Sequence, residues 1–107
     1  MSAIGLSASL PELDPVIHAQ ARLRVTVALA ALATGDQITF PRLQQLLEMS
    51  AGNLSTHLRK LEDAGYVAID KSFVGRKPLT RIRLTNGGRD AFVAYLDAIG
   101  KLVGDQG

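Results

Sequence analysis

The segment from Ser50 to Val67 constrains the fold most, because it has the periodicity of an amphipathic helix with a start and a stop signal. The Ser50 hydroxyl can accept hydrogen bonds from the free N–H groups of a first helical turn, and Gly65 suits the left-handed conformation that often follows a last turn. Three leucines recur between them at intervals of four and three residues: Leu54, Leu58 and Leu61. They form one apolar stripe, which must be buried.

The opposite side of this helix is polar and basic. At about 100° per residue it carries Gly52, Thr56, Arg59, Lys60 and Asp63, and Asn53 and Ser55 flank them. Hydroxyl, amide and cationic groups are those with which proteins contact phosphates and base edges. This side therefore predicts a nucleic-acid-binding surface.

Two further helices are predicted before this one. Asp14-Pro15 indicates the start of a first helix from Pro15 to about Thr34, which Gly35 ends. Thr39 then caps a second helix from Phe40 to Glu48, with three inward residues: Leu43, Leu46 and Leu47. A very short connection joins the second and third helices, as in a helix-turn-helix pair.

A hairpin and a last helix are predicted after it. Two runs of strand-forming residues, Tyr66 to Phe73 and Leu79 to Leu84, flank the glycine- and proline-containing tip Val74-Gly75-Arg76-Lys77-Pro78. Thr85 caps a last helix that reaches about Val103. The first and last helices both carry more apolar surface than one small core can cover.

The order of these elements predicts a mainly α fold with a small antiparallel β wing, the α+β class called winged helix-turn-helix. A chain of 107 residues is one domain by length, and we expect it to span 14–104 after a flexible arm at 1–13. No apolar run approaches the roughly 18 residues that a membrane span needs, and no targeting segment is recognisable, so a cytoplasmic protein is expected.

Charge and residue usage narrow the function further. Between Ser50 and Arg83 there are seven cations and three anions, whereas the rest of the chain has five cations and seven anions. This asymmetry is typical of a protein with one face against phosphates. The chain has no cysteine, which excludes disulfides and thiolate metal sites. No carboxylate pair, no nucleophile with its base and no phosphate-binding glycine loop is present, so neither an enzyme nor a bound cofactor or metal is expected.

Two stretches resemble one family. The segment from Ile38 to Tyr66 resembles small winged-helix transcriptional regulators related to the MarR and ArsR groups, and residues 83–89 are similar to the L-T-x-x-G-R start of their last helix. The resemblance implies a homodimer held by the first and last helices, with the helix of residues 52–64 in the major groove and the 74–78 wing on the flanking backbone. The chain lacks the cysteine motif of metal-sensing relatives, so metal sensing is not implied.

The candidate DNA contacts are ten polar or cationic residues: Ser50, Asn53, Ser55, Thr56, Arg59, Lys60, Lys71, Arg76, Lys77 and Arg81. Asn53, Ser55 and Thr56 are expected near base edges and Lys60 at a phosphate, while Arg59 fits a guanine edge or a phosphate. Other interpretations stay open. Asn53 and Ser55 could serve the helix N-terminus alone, and the cations of the tip and Arg81 could serve solubility.

The leading hypothesis is a sequence-specific regulator that binds double-stranded DNA, a dimeric repressor at an inverted repeat. Any effector is expected at the dimer interface or between that interface and the DNA-reading unit. The alternative is a winged-helix protein–protein interaction module without nucleic-acid binding. The cations of the wing and the expected absence of exposed aromatic residues there disfavour this alternative. The same absence disfavours RNA, whose unpaired bases stack on aromatic rings.

Overall fold

The computed structural model describes residues 12–104, so the predicted arm lies outside the described residues except for positions 12 and 13. This part of the chain contains α1 (Gln20–Ala30), β1 (Ile38–Thr39), α2 (Phe40–Leu47), α3 (Ala51–Asp63), β2 (Val67–Val74), β3 (Lys77–Leu84) and α4 (Asn86–Gly104). The strands form an antiparallel sheet in the order β1-β3-β2. The predicted winged helix-turn-helix class is confirmed.

The first helix is shorter than predicted. The Asp14 side chain accepts hydrogen bonds from Val16 N (2.8 Å) and Ile17 N (3.3 Å), but this cap starts a single turn, and α1 begins at Gln20. Ala19 interrupts the helix because its backbone is extended, with φ −69° and ψ 130°. The side chain of Arg22 binds the carbonyl of Val16 at 2.7 Å and so replaces a helical hydrogen bond. The prediction of a helix from Pro15 to Thr34 was therefore wrong at both ends.

Helix α2 confirms its cap and corrects its inward face. Thr39 Oγ1 accepts a hydrogen bond from Arg42 N at 3.4 Å, as expected. Leu43 and Leu47 are buried, but Leu46 is 60 % exposed, against the prediction. A helix of eight residues buries one narrow stripe, and Leu46 stands to one side of the stripe that positions i and i+4 define. The helix ends at Leu47, one residue early, because Glu48 adopts the left-handed conformation.

The leucine stripe of α3 lies at the centre of the core, as predicted. Leu54, Leu58 and Leu61 are at most 2 % exposed. They pack with residues from α1, α2 and the sheet: Val25, Leu29, Leu43, Leu47, Val67, Ile82 and Leu84. Because α3 is buried along this one stripe, its opposite side is held toward solvent.

The start of α4 contacts the segment that directly follows α3. Thr85 Oγ1 accepts a hydrogen bond from Gly88 N at 2.9 Å, which confirms the predicted cap. Thr85 N also donates to Tyr66 O at 3.0 Å. A Cβ atom at Gly88 would lie 2.0 Å from Tyr66 O, so only glycine allows this approach. Farther along α4, Tyr95 and Ala98 are buried, whereas Val93, Leu96 and Val103 are exposed.

Candidate nucleic-acid interface

The two ends of helix α3 lie within one residue of the positions that its cap and its glycine stop signal predicted. It spans Ala51–Asp63 rather than 52–64. Ser50 Oγ accepts a hydrogen bond from Asn53 N at 3.2 Å, and Gly65 has a φ of 81°. The cap is therefore supplied by Ser50, and in the described part of the chain the side chains of Asn53 and Ser55 make no hydrogen bond to the helix N-terminus.

The side of α3 opposite the leucine stripe is exposed along its length. Asn53, Ser55, Thr56, Arg59 and Lys60 are all exposed. The Thr56 hydroxyl donates to Gly52 O at 3.0 Å, so its proton is already used within the helix. Its oxygen remains an acceptor and its methyl group remains available for apolar contact. We call this side the outer face of α3.

The β2–β3 hairpin is longer than predicted and its turn is tighter. Val74 pairs with Lys77, so the turn consists of Gly75 and Arg76 alone, and Lys77 and Pro78 belong to β3. Gly75 has a φ of 64°, which suits a two-residue turn that begins with glycine. The turn thus displays Arg76 and Lys77 at the far end of the hairpin, where both are exposed.

Residue pairs along the hairpin alternate between its two faces. One face carries Val67 opposite Leu84, Ile69 opposite Ile82, Lys71 opposite Thr80 and Phe73 opposite Pro78. The first two pairs belong to the core or pack against it, and the last two continue beyond it. We call this face the inner face of the hairpin.

A groove separates the outer face of α3 from the inner face of the hairpin. Its volume is about 580 Å³, and its lining includes Phe40, Ser55, Leu58, Arg59, Glu62, Ile69, Lys71 and Thr80. Three candidate DNA contacts, Ser55, Arg59 and Lys71, are therefore brought together although up to sixteen positions separate them in sequence. Arg81 lies elsewhere, because it pairs with Asp70 and with Thr39 on the other face of the sheet.

The cations of this region are free of carboxylate partners. Within residues 12–104 the single ion pair closer than 4 Å joins Lys101 to Asp97 on α4, at 3.3 Å. Arg59, Lys60, Lys71, Arg76 and Lys77 thus project charge that the described residues leave uncompensated at contact distance. Such a cluster attracts polyanions over distances of about a Debye length.

The hairpin also exposes an aromatic ring, which corrects the sequence analysis. Phe73 is 72 % exposed and Val74 is 61 % exposed. Phe73 continues the alternation of Val67 and Ile69, but the helix layer does not extend far enough to cover it. The expectation that the wing lacks exposed aromatic residues was wrong, and the position of Phe73 beside the glycine turn is the sequence signal that pointed to it.

His57, on the side of α3 between the leucine stripe and the outer face, is half-buried. Its Nδ1 atom is buried and has no hydrogen-bond partner among the described residues. Burial lowers the pKa of His57 below 6.5, and the positive charges of Arg22 and Lys60 lower this pKa further. The neutral ring is therefore favoured at this position.

A second cavity of about 570 Å³ is lined by a separate set of residues. Its lining includes the chain before α1, Tyr66 at the end of the helix-turn-helix, and Ala91, Ala94 and Tyr95 of α4. The Tyr66 hydroxyl donates to Asp14 at 2.5 Å, and this hydrogen bond raises the pKa of Tyr66. The Tyr95 hydroxyl is 3.0 Å from Nδ1 of His18, an exposed residue.

Comparison with known proteins identifies the family. Residues 22–103 match the family model of the winged helix DNA-binding domain. The chain belongs to this family. A curated relative, an uncharacterized protein of Methanocaldococcus jannaschii, is 40% identical to this winged helix domain over 73 residues, which cover 67% of the chain and 79% of the relative.

Solved structures share the fold of this winged helix domain. A transcriptional regulator homologue from Pyrococcus horikoshii OT3 superposes with a TM-score of 0.77 at 22% identity, and the match covers 99% of this chain and 98% of that one. Reduced AbfR bound to DNA matches with a TM-score of 0.64 at 23% identity, over 82% of this chain and 62% of AbfR. A possible transcriptional regulator for arsenical resistance matches with a TM-score of 0.57 at 26% identity, over 84% and 91% of the two chains. The resemblance to small winged-helix regulators is confirmed.

Two further properties concern residues 12–104. None of the helices there is both long and apolar enough to cross a membrane. In the same residues, no group of three histidine, cysteine or acidic side chains lies close enough to hold a metal ion.

Proposed function

We propose that this winged helix domain is a sequence-specific transcriptional regulator that places α3 in the major groove of double-stranded DNA and the β2–β3 hairpin along the flanking backbone. The observation that carries the proposal is the groove in which Arg59 of α3 and Lys71 of β2 face the same space without a carboxylate partner within 4 Å. Two cations from separate elements, held on either side of one groove, suit a single phosphate backbone passing between them.

The residues of α3 divide by their position along the helix. Asn53, Ser55 and Thr56 lie in its first half, which in docked helices of this kind reaches base edges. Arg59 follows and forms hydrogen bonds to a guanine edge or to a phosphate, and Lys60 neutralises backbone charge. Ser50 precedes the helix, where its backbone and hydroxyl meet the flanking phosphates. Arg76 and Lys77 extend the contact outward, and Arg81 of the opposite sheet face contributes at most long-range attraction.

A homodimer is the second part of the proposal. Helix α4 exposes Val93, Leu96 and Val103, and α1 exposes Val27. Apolar side chains on one exposed helix favour burial against a second copy. A two-fold axis between two copies would present their α3 helices to half-sites about 34–36 Å apart, which an inverted repeat provides. A dimer bound at such a repeat in a promoter would act as a repressor.

The cavity between Tyr66 and α4 is where we place an effector. A ligand there would contact both the segment that ends the helix-turn-helix and the helix that forms the proposed dimer. A thermal-shift screen of small molecules, repeated with Ala94→Phe, whose ring would fill the cavity, tests this placement. A ligand that stabilises both proteins equally would argue against it.

The test of DNA binding is its salt dependence. We expect the wild-type protein to bind duplexes selected from a random pool, with an affinity that falls as about the −0.9 power of salt concentration for each phosphate contact. Arg59→Gln with Lys71→Gln should reduce this slope by about 1.8 for each bound protomer, or about 3.6 for a dimer, without changing the thermal stability. Lys101→Gln removes one charge from α4, which contributes no residue to the groove lining, and should leave the slope unchanged. Binding without salt dependence, or without preference for any duplex, would reject the proposal.

The dimer is tested separately. Leu96→Glu should convert the protein to a monomer in sedimentation experiments, because a carboxylate cannot be buried unpaired. Leu46→Glu places the same charge at a leucine of similar exposure on α2 and should remain dimeric. Two variants with the same oligomeric state would contradict the proposed interface.

A further inference from the structure

The far end of the hairpin presents apolar surface to solvent in the middle of a cationic region. Phe73 is 72 % exposed, and Pro78 lies directly opposite it in the hairpin register. Lys71 precedes this pair on the strand, and Arg76 and Lys77 follow it at the turn. Phe73 and Pro78 are paired across the two strands and are both exposed, and adjoining exposed apolar side chains indicate a contact site more strongly than a single one does.

The two faces of the hairpin identify which apolar residue faces the groove. Phe73 shares the inner face with Lys71, a residue of the groove lining, whereas Val74 lies on the opposite face. Two residues along a strand correspond to about 6.8 Å. A phosphate backbone held between Arg59 and Lys71 would therefore have Phe73 one step beyond it, at the edge of a minor groove about 6 Å wide.

We propose that Phe73, supported by Pro78, is an apolar wedge that enters the minor groove beside the α3 site and partly unstacks one base step, so that the bound duplex is kinked. This inference rests on the proposed DNA binding. Apolar wedges of phenylalanine or proline unstack base steps and kink DNA by about 20–90° toward the major groove. Arg76 and Lys77 neutralise the phosphates that the kink brings toward the hairpin.

The wedge also predicts a sequence preference at the base step under the hairpin, which no polar side chain contacts. Pyrimidine–purine steps, TA and CA/TG, are the easiest to unstack, so the protein should prefer them under the hairpin. Charge complementarity favours DNA over an apolar protein partner, because Lys71 lies two residues before Phe73 on the same face and Arg76 lies three residues after it at the turn, and neither has a carboxylate within 4 Å among residues 12–104. The preference is therefore set by deformability rather than by hydrogen bonds to bases.

The test compares Phe73→Ser with Val74→Ser, a matched control at the neighbouring, similarly exposed position on the other face. Duplexes selected from a random pool by the wild-type protein carry a donor and an acceptor dye at their ends, and energy transfer measures the bend. We expect Phe73→Ser to bind about tenfold more weakly, as the loss of one aromatic contact to a base would cause. It should leave the duplex straight and retain the wild-type salt slope, since no charge is removed. Val74→Ser should bind and bend as the wild type does.

Selection with each variant supplies a second readout. Sites recovered by the wild type and by Val74→Ser should be enriched in TA or CA/TG steps at a fixed distance from the α3 site, and sites recovered by Phe73→Ser should lose this enrichment. A wild-type complex as straight as the free duplex, or a Phe73→Ser complex as bent as the wild type, overturns the wedge and leaves the proposed DNA binding intact. If the wild type selects no duplex, the proposed function fails and the wedge fails with it.

Discussion

The junction between α3 and α4 differs from the groove between α3 and the hairpin in whether polar side chains have partners within the protein. At the junction, the Thr85 hydroxyl donates to Gly65 O at 2.6 Å and accepts from Gly88 N, while Thr85 N binds Tyr66 O. On the groove side, Arg59 and Lys71 project into open space without a carboxylate partner. The first region fixes the orientation of the helices, and the second leaves charge available for a ligand. Substitutions in the two regions should therefore affect different measurements.

The largest effect is expected beneath the groove side, in the leucine stripe. Leu58→Ala removes a side chain that is 2 % exposed, and we expect it to lower the free energy of unfolding by about 2–5 kcal/mol. Leu46→Ala removes the same atoms from a side chain that is 60 % exposed, and it should change the free energy of unfolding by less than about 0.5 kcal/mol. Denaturant unfolding measures both. Equal losses would mean that the two leucines do not differ in burial as described.

The junction is tested by two neighbouring glycines. Gly88→Ala places a methyl group 2.0 Å from Tyr66 O and must move backbone, so we expect a loss of about 1–3 kcal/mol in unfolding free energy. Gly87→Ala meets its nearest atoms at 3.7 Å and should be neutral or stabilise the helix by up to about 1 kcal/mol. A tolerated Gly88→Ala variant, by thermal unfolding, would show that the junction is looser than this contact implies.

The parts of the fold that depend on neighbouring residues were predictable from the sequence. The caps of Thr39, Ser50 and Thr85 each accept the N–H of the residue three positions later, a relation that the sequence displays directly. The leucine stripe of α3 was likewise predictable, because thirteen helical residues are enough for the 3.6-residue period to emerge.

The parts that depend on how side chains and layers pack in three dimensions were not predictable. Arg22 binds Val16 O across the break before α1, and this contact has no pattern in the sequence. The exposure of Leu46 and Phe73 depends on how far the facing layers extend. For the candidate site, the outer face of α3 was predictable, but the groove that joins Arg59 to Lys71 requires the angle between the hairpin and the helix.

Ser50 is both the cap of α3 and a candidate DNA contact, so substitutions there can separate stability from binding. Ser50→Ala removes the acceptor of the Asn53 N–H and should cost about 1 kcal/mol of unfolding free energy. Ser50→Asp keeps an acceptor, and a negative charge at a helix N-terminus is favourable, so its stability should stay near that of the wild type. The same charge would repel phosphates, and we expect weaker DNA binding at low salt. Ser50→Asn, a neutral cap, should retain both properties. A Ser50→Asp variant as unstable as Ser50→Ala would contradict the cap.

The smallest effect is expected at His57, which lies between the buried stripe and the outer face. Burial and the charges of Arg22 and Lys60 lower its pKa in the folded protein, so the unfolded chain binds more protons near and below pH 6.5. The stabilising contribution of the neutral ring is complete above about pH 6.5, the pKa in the unfolded chain. It is lost progressively as the pH falls from there toward the lowered pKa. His57→Met cannot titrate, so the melting temperature of the wild type should fall relative to that of the variant between pH 7.5 and pH 5.5. Parallel curves across this range would mean that the pKa of His57 is the same in the folded and unfolded chains, and that its buried Nδ1 imposes no penalty on the charged ring.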